Sequence, residues 1–231
     1  MIISGRNSVN EALKANQTLN KILISKSSGG FEKTISMAKE KGVRLEFVEK
    51  RVLDKLSNNN QGIVAYTTDF VYSELEELII DGDCLLVILD EIEDPHNLGA
   101  IIRSAECAGA TGIIIPNRRA TPVTDTVVKT SAGAISNIKI AKVVNLNQAI
   151  EKLKQNNIWV YGLETGGKEI YNVNLKGRVA IIVGSEGRGI SKLTKQRCDE
   201  IISLPLKGKI NSLNASVACG IALYEVLRQN R

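Results

Sequence analysis

The chain has 231 residues, of which 43% are hydrophobic and 24% charged, as in an ordinary globular protein with one large or two small domains. No apolar run is long enough to predict a membrane span, and the N-terminus lacks the apolar core of a signal peptide, so we expect a cytoplasmic protein. The net charge of +5 is compatible with a polyanionic partner and equally with a solvated basic surface.

The four cysteines are scattered along the chain, and a single histidine accompanies them. Zinc sites and disulfide frameworks need clustered ligands, so the sequence predicts core thiols and no metal site. The cysteines are Cys84, Cys107, Cys198 and Cys219.

Residues 1–70 alternate between helical and extended patterns, which predicts a small α/β domain. Helices are expected near residues 8–15 and 32–41, with a third, short helix before a polar turn at 58–62. Strands are expected at 21–25, 43–48 and 63–66. Eleven basic side chains stand against seven acidic ones in this part of the chain.

Residues 71–83 carry five acidic and no basic side chains, and they are predicted to form a linker with a short helical segment. Residues 84–231 are predicted to form the second domain. Its apolar strands are expected near 85–89, 112–115, 138–142, 158–163, 179–183 and 201–204. Helical patterns separate most of them, which indicates a parallel sheet with helices on both faces.

Three blocks of glycine, proline and small polar residues follow strand-like segments of this domain. They are DPHNLGAIIRSAE at 94–106, VGSEGRG at 183–189, and LPLKG at 204–208 with NSLNASVA at 211–218. Such loops bring backbone close to a ligand at the carboxyl ends of parallel strands. The G-x-x-G-x-G pattern differs from the dinucleotide fingerprint, and by itself it is equally compatible with a structural turn.

The three blocks resemble the SpoU/TrmH family of the SPOUT superfamily, the knotted S-adenosylmethionine-dependent RNA ribose 2′-O-methyltransferases. Residues 129–134 also match, and residues 5–13 resemble the start of an RNA-binding domain in the subfamily that methylates a guanosine of large-subunit ribosomal RNA. The resemblance implies an L30e-like RNA-binding domain over residues 1–70 and a SPOUT α/β-knot, with a deep trefoil knot, over 84–231. Asn60 stands where the family often has histidine before a Gln-Gly pair.

The resemblance also implies roles for individual residues. S-adenosylmethionine is expected in a backbone cradle at Gly184, Leu204 and Leu213, with Thr165 contributing. Arg103 is expected to contact the ribose 2′-hydroxyl or its phosphate. The remaining catalytic positions implied by the family are Asn97, Glu186, Ser212 and Asn214.

Structural roles compete with several of these assignments. Asn97, Ser212 and Asn214 are also plausible helix caps, and Arg103 is placed to pair with Glu106 three residues later.

Ribosomal or other structured RNA is the expected partner. Aromatic residues make up only 4% of the chain, so phosphate contacts are expected to matter more than base stacking. The predicted RNA-binding residues are Arg6, Arg118, Arg119 and Lys129. The final helix, near 212–229, has small and apolar residues on more than one face, and the resemblance implies a homodimer through this region, with each active site drawing on both chains.

Other functions remain open at this point. One is a methyltransferase for another RNA, such as a transfer RNA ribose or a ribosomal adenosine. Another is a non-catalytic RNA-binding or ribosome-assembly protein on the same fold, which should lack Arg103, Glu186 or Asn214, and all three are present. A nicotinamide-dependent dehydrogenase is disfavoured because the glycine motif comes late in the chain.

Overall fold

The structure, a computed structural model, describes residues 2–14, 19–67 and 70–231. The chain divides into two compact units, Met1–Val71 and Tyr72–Arg231. The first predicted helix ends at Lys14, and its expected last residue, Ala15, lies outside the described residues. None of the helices in the described ranges has the length and apolarity needed to cross a membrane.

The described residues of the first unit form a four-stranded sheet with three helices. Its strands are β1 (Ile2–Ser4), β2 (Leu19–Ser25), β3 (Arg44–Val48) and β4 (Ile63–Thr67), in the order β1-β4-β2-β3. Its helices are α1 (Arg6–Lys14), α2 (Glu32–Glu40) and α3 (Lys50–Leu56). Strands β2 and β3 are parallel and the other pairs antiparallel. Val9 and Leu13 of α1 are four residues apart and fully buried, which is the spacing that places one helix face on a core.

Asn60 builds the turn before β4. Its amide nitrogen donates to Asp54 Oδ1 at 2.9 Å and to the Ser57 carbonyl at 2.8 Å, and its oxygen accepts from the Gly62 backbone N–H at 2.8 Å. Gln61 and Gly62 both have positive φ, at 50° and 81°, which makes this a sharp turn. The residue that departs from the family pattern therefore has a buried structural role.

The second unit contains the predicted parallel sheet, whose six strands lie in the order β10-β8-β9-β5-β6-β7. The strands are β5 (Cys84–Asp90), β6 (Gly112–Pro116), β7 (Lys139–Val143), β8 (Trp159–Glu169), β9 (Arg178–Gly184) and β10 (Glu200–Ser203). The helices are α4 (Pro95–Cys107), α5 (Asp125–Thr130), α6 (Leu146–Gln155), α7 (Lys192–Arg197) and α8 (Ala215–Gln229).

Strand β5 shows why the strands of this sheet appear in the sequence as continuous apolar runs. All seven of its residues are buried. Leu86 and Ile88 belong to the cluster that includes Ile150 of α6, and Leu85 and Val87 point the other way and are buried as well. Both faces of the sheet are therefore covered, as in α/β proteins generally. The trefoil knot stays a prediction.

From Tyr72 onward the acidic segment 71–83 belongs to the second unit, whereas its charge had indicated a linker. Leu78, in a 3-10 turn over Leu75–Leu78, is fully buried against Gly112, where an added Cβ would lie 2.5 Å from its Cγ. Ser73 forms a β-bridge to Ala141. The apolar residues between the acidic ones are what anchor this segment, since Leu75 and Leu78 join the main core cluster.

Replacing Leu78 with alanine should therefore destabilise the second unit. Large-to-small changes at fully buried leucines cost about 2–5 kcal/mol. The measurement is urea unfolding followed by the fluorescence of Trp159, the single tryptophan, which lies in this unit. Val144→Ala is the matched control because Val144 is 89% exposed. Equal unfolding midpoints for the two variants would mean that residues 71–83 are a linker after all.

The prediction of core thiols is wrong for Cys107. Cys84 and Cys219 are buried and Cys198 is partly buried, but Cys107 is exposed. Helix α4 buries a stripe that includes Leu98 and Ile102, and Cys107 lies off that stripe, one turn beyond the exposed Arg103. Burial raises the pKa of Cys219 to about 12. Across the described ranges, no three His, Cys, Asp or Glu side chains are grouped so that they could hold a metal ion.

Candidate functional site

A cavity of about 630 Å³ lies at the carboxyl edge of the parallel sheet. It is lined by residues 163–165, which lie in β8 where its pairing with β9 ends, and by the segments that follow β9 and β10. Seven of the predicted catalytic and cofactor-binding residues are among its lining: Thr165, Gly184, Glu186, Leu204, Ser212, Leu213 and Asn214. The structure thus brings the second and third sequence blocks to one place, the position at which open α/β sheets bind ligands.

The glycine turn after β9 forms one wall of the cavity. At Gly184, an added Cβ would lie 2.2 Å from the carbonyl carbon of Gly189, so only glycine fits there. Gly187 and Gly189 have φ of 112° and 67°, in the region that favours glycine. Ser185 and Gly189 close the turn with two backbone hydrogen bonds of 3.1 and 2.9 Å. The turn is therefore both a tight structural element and a backbone surface facing the cavity.

Three predicted catalytic residues from three separate blocks form one hydrogen-bonded network. The Asn97 amide donates to Glu186 Oε1 at 2.9 Å, and the Asn214 amide donates to Asn97 Oδ1 at 2.9 Å. Asn214 also donates to the same Glu186 oxygen. This network joins the first turn of α4, the glycine turn and the start of α8. Asn97 is buried, although it does not line the cavity itself.

Of the three helix caps that the sequence suggested, the structure has one, Asn214. Asp94 caps α4, accepting from the His96 backbone N–H at 2.9 Å, so Asn97 lies inside the helix and is free for the network. Asn214 caps α8, and its Oδ1 accepts from Ser216 N–H at 3.0 Å. Helix α8 begins at Ala215 rather than near Ser212, which is exposed at the cavity and does not act as the cap.

Arg103 lies on an exposed face of α4, a different face from that of the buried Asn97. Within the described ranges it makes no hydrogen bond or ion pair, so the suggested salt bridge to Glu106 is absent. Glu106 instead accepts a hydrogen bond of 3.4 Å from Asn137. Arg103 does not line the cavity of its own chain.

Two carboxylates that the sequence analysis did not single out hold the segment after the glycine turn. Buried Asp90, at the end of β5, accepts from the Ser191 backbone N–H at 2.8 Å. Glu164 accepts from Ile190 N–H at 3.3 Å and pairs with Lys195 at 2.8 Å. Both are the first polar residue after an apolar run, which is the signal that could have identified them.

The predicted RNA-binding residues differ in how they are held. The Arg6 guanidinium donates to the Gly29 carbonyl at 3.0 Å and lies 4.6 Å above the Phe31 ring. Arg119 donates to Glu91 at 2.9 Å, an interaction that raises the pKa of Arg119 above its ordinary value. Arg118 and Lys129 are simply exposed. Their contact with RNA stays a prediction.

Helix α8 has one face buried in its own chain and one uncovered apolar face. Cys219, Ala222 and Leu223 are fully buried. On the other side, Val217 and Tyr224 are about half exposed, as is Tyr171 nearby. Together with Ile221 and with Ala100 and Ser104 of α4, they line a shallow groove. Exposed apolar groups concentrated in this way mark a surface suited to a partner.

Both units of this architecture match known protein families. Residues 84–224 match the SpoU rRNA Methylase family, and residues 2–73 match the domain described as RNA 2'-O ribose methyltransferase substrate binding. YacO of Bacillus subtilis, assigned to the TrmH family of tRNA/rRNA methyltransferases, is 40% identical over 98% of this chain and 95% of its own length. A Staphylococcus saprophyticus protein with the same family assignment is 39% identical over 99% of this chain and 96% of its own length.

A solved structure has the same fold. The SpoU methyltransferase AviRb of Streptomyces viridochromogenes, crystallised with AdoMet, superposes with a TM-score of 0.82 over 99% of this chain and 90% of its own, at 22% identity. The family matches cover both units, and the curated relatives are matched over nearly their whole length. The chain belongs to the SpoU/TrmH family of RNA methyltransferases.

Proposed function

We propose that this protein transfers a methyl group from S-adenosylmethionine to a ribose 2′-hydroxyl of RNA, with a guanosine of large-subunit ribosomal RNA as its substrate. The observation that carries the proposal is the Asn97–Glu186–Asn214 network, which joins the three family blocks at the rim of one cavity. The substrate-binding description matched by the first unit supports the ribose 2′-oxygen as the acceptor.

The cavity suits S-adenosylmethionine. Its walls combine the backbone of Gly184, where a side chain cannot fit, with the apolar side chains of Leu204 and Leu213. Main-chain groups in an apolar slot can read the edge of an adenine, and Thr165 offers a hydroxyl at the same cavity. Glu186 places a carboxylate where a sulfonium cation would be favoured. When bound, this cofactor supplies an electrophilic methyl group.

Arg103 is proposed to act at the ribose. A guanidinium resists deprotonation, so Arg103 orients the 2′-hydroxyl and stabilises the negative charge that develops on its oxygen rather than removing the proton itself. Its lack of an ion pair within the described ranges leaves its donors available for this role. Ser212 is exposed at the cavity and offers a hydroxyl beside the same oxygen.

Arg103 lies outside its own cavity, so we propose that it serves the cavity of a second copy. The uncovered apolar face of α8, with Val217 and Tyr224, lies beside the Arg103-bearing helix α4, because Ala100 and Ser104 line the same groove. Packing two such faces together forms a homodimer and brings α4 of one copy toward the other. Each active site then draws on both chains.

RNA binding is assigned to the first unit and to exposed cations of the second. Arg6 in the first unit, and Arg118, Arg119 and Lys129 in the second, are proposed to contact phosphates. Such contacts weaken as salt rises, whereas backbone hydrogen bonds to a cofactor change far less.

The test is methyl transfer from methyl-labelled S-adenosylmethionine to purified ribosomal and transfer RNA. A 2′-O-methyl group protects the adjacent phosphodiester from alkaline hydrolysis, so the modified nucleotide appears as a gap in the hydrolysis ladder. We expect one protected guanosine in large-subunit ribosomal RNA. Protection in transfer RNA only would reassign the substrate, and RNA binding without any transfer would favour the non-catalytic alternative.

A further inference from the structure

Glu91 and Arg119 have an unusual backbone conformation that none of the roles proposed above explains. Glu91 follows β5 with φ of 61°, and Arg119 follows β6 with φ of 54°. Non-glycine residues adopt this left-handed region rarely and at some cost, and where they do so the reason is often functional. Among the described residues five have it, and these two are partners in one ion pair.

The Glu91 carboxylate joins two loops on either side of β5. Its Oε1 accepts a hydrogen bond from Arg119 Nη1 at 2.9 Å, and its Oε2 lies 3.6 Å from Arg188 Nη1. Arg188 belongs to the glycine turn and lines the cavity. Because β5 lies between β9 and β6 in the sheet, a carboxylate just after β5 can reach the loops that follow both neighbours.

The two guanidinium groups are far more exposed to solvent than the carboxylate that they share. The Glu91 side chain is 19% exposed, whereas those of Arg119 and Arg188 are 70% and 81% exposed. A guanidinium has five N–H donors, and each arginine turns one nitrogen toward Glu91. Two cations on one carboxylate leave a net positive charge. The exposed Arg118 adds a further positive charge, and Glu93 near Arg119 adds one negative charge. Exposed ion pairs add little to stability, which argues against a purely structural role.

We propose that Arg119 and Arg188, held side by side by Glu91, bind a backbone phosphate of the RNA beside the cofactor cavity. This inference rests on the proposed function, because it assigns the phosphate to the strand whose ribose reacts. Planar guanidinium groups suit phosphate oxygens, which they can contact with two parallel hydrogen bonds. Glu91 is a positioning residue: it touches neither RNA nor cofactor, and it fixes where the two arginines present their donors.

The first test measures RNA affinity over a range of salt concentrations for Arg119→Ala and Arg188→Ala. Each variant should bind more weakly at low salt, and the double variant should reduce the slope of log affinity against log salt by about 0.7, the value for one phosphate contact on a single strand. Arg197→Ala is the matched control, since Arg197 also pairs with a glutamate, Glu151 at 2.7 Å, and does not line the cavity. Its removal takes the same charge from the same unit.

The second test uses Glu91→Gln, which removes the carboxylate charge but keeps the size of the side chain. RNA affinity should hold or rise because a negative charge is lost, while the single-turnover rate should fall by about tenfold because the arginines are no longer fixed. If Glu91 had a merely structural role, its replacement would not lower the single-turnover rate while RNA affinity held or rose. Melting curves establish that each variant is folded.

Three results would overturn the proposal in distinguishable ways. If both arginine variants match Arg197→Ala in affinity and slope, the phosphate site is wrong while the proposed function stands. If Glu91→Gln keeps the wild-type rate, its positioning role is wrong. If the wild-type protein transfers no methyl group to any RNA, the proposed function fails, and this site fails with it.

Discussion

Replacing Arg103 with alanine should lower the single-turnover rate of methyl transfer by about 10²–10³-fold, the usual loss when a donor to a developing oxyanion is removed. S-adenosylmethionine affinity should stay near that of the wild type, because Arg103 is proposed to act at the ribose and not at the cofactor. The side chain is exposed and has no partner in the described part of the structure, so the fold should survive. Arg103→Lys should fail to restore most of the rate, since a point charge cannot replace a planar fork of donors.

The measurement is single-turnover transfer to substrate RNA, together with calorimetry of cofactor binding. Arg197→Ala again provides the control, because it removes an arginine of the same unit that lies away from the cavity. A rate for Arg103→Ala equal to that of the control would show that Arg103 is a surface residue without a catalytic role. A selective loss of rate would place Arg103 at the ribose.

Replacing Gly184 with alanine should abolish most cofactor binding. The new Cβ would lie 2.2 Å from the carbonyl carbon of Gly189 and 2.3 Å from the Ile190 nitrogen, so backbone must move. Because both sides of this clash are main chain, no rotamer change relieves it. Displacing a ligand-facing turn by about 1 Å is enough to cost on the order of 10² in function.

Calorimetry with S-adenosylmethionine measures the effect, and Gly208→Ala is the matched control. Gly208 is in the same unit with ordinary φ, and its added Cβ would meet only the Ile210 nitrogen, at 4.0 Å. An unchanged affinity of Gly184→Ala for S-adenosylmethionine would mean that the glycine turn does not bind the cofactor. The fluorescence of Trp159 verifies that the second unit of both variants is folded.

The parallel sheet could be predicted because its strands are buried on both faces and therefore appear as uninterrupted apolar runs. Strand β5 is the clearest example, with seven buried residues in succession. The lining of the cavity could also be predicted, since loops after adjacent parallel strands converge at one edge. The resemblance supplied the residues of those loops, and seven of them line one cavity.

Other features depend on tertiary contacts that no local pattern contains. Asn97 does not cap its helix because Asp94, three residues earlier, accepts the His96 backbone N–H and acts as the cap. The segment 71–83 looked like a linker because of its charge, although Leu78 decides where it packs. The pairing of Arg188 with Glu91 joins residues that are remote in sequence, and periodicity carries no information about such a pair.

The cofactor cavity is lined by residues of the second unit alone. The Asn97–Glu186–Asn214 network links the segments around it, so the cavity depends on the folded second unit. Ligand binding and folding are then thermodynamically linked, and a ligand present at about 100 times its Kd adds about 2.7 kcal/mol to the stability of the state that binds it. We therefore expect S-adenosylmethionine, bound there as proposed, to protect the second unit from unfolding and proteolysis.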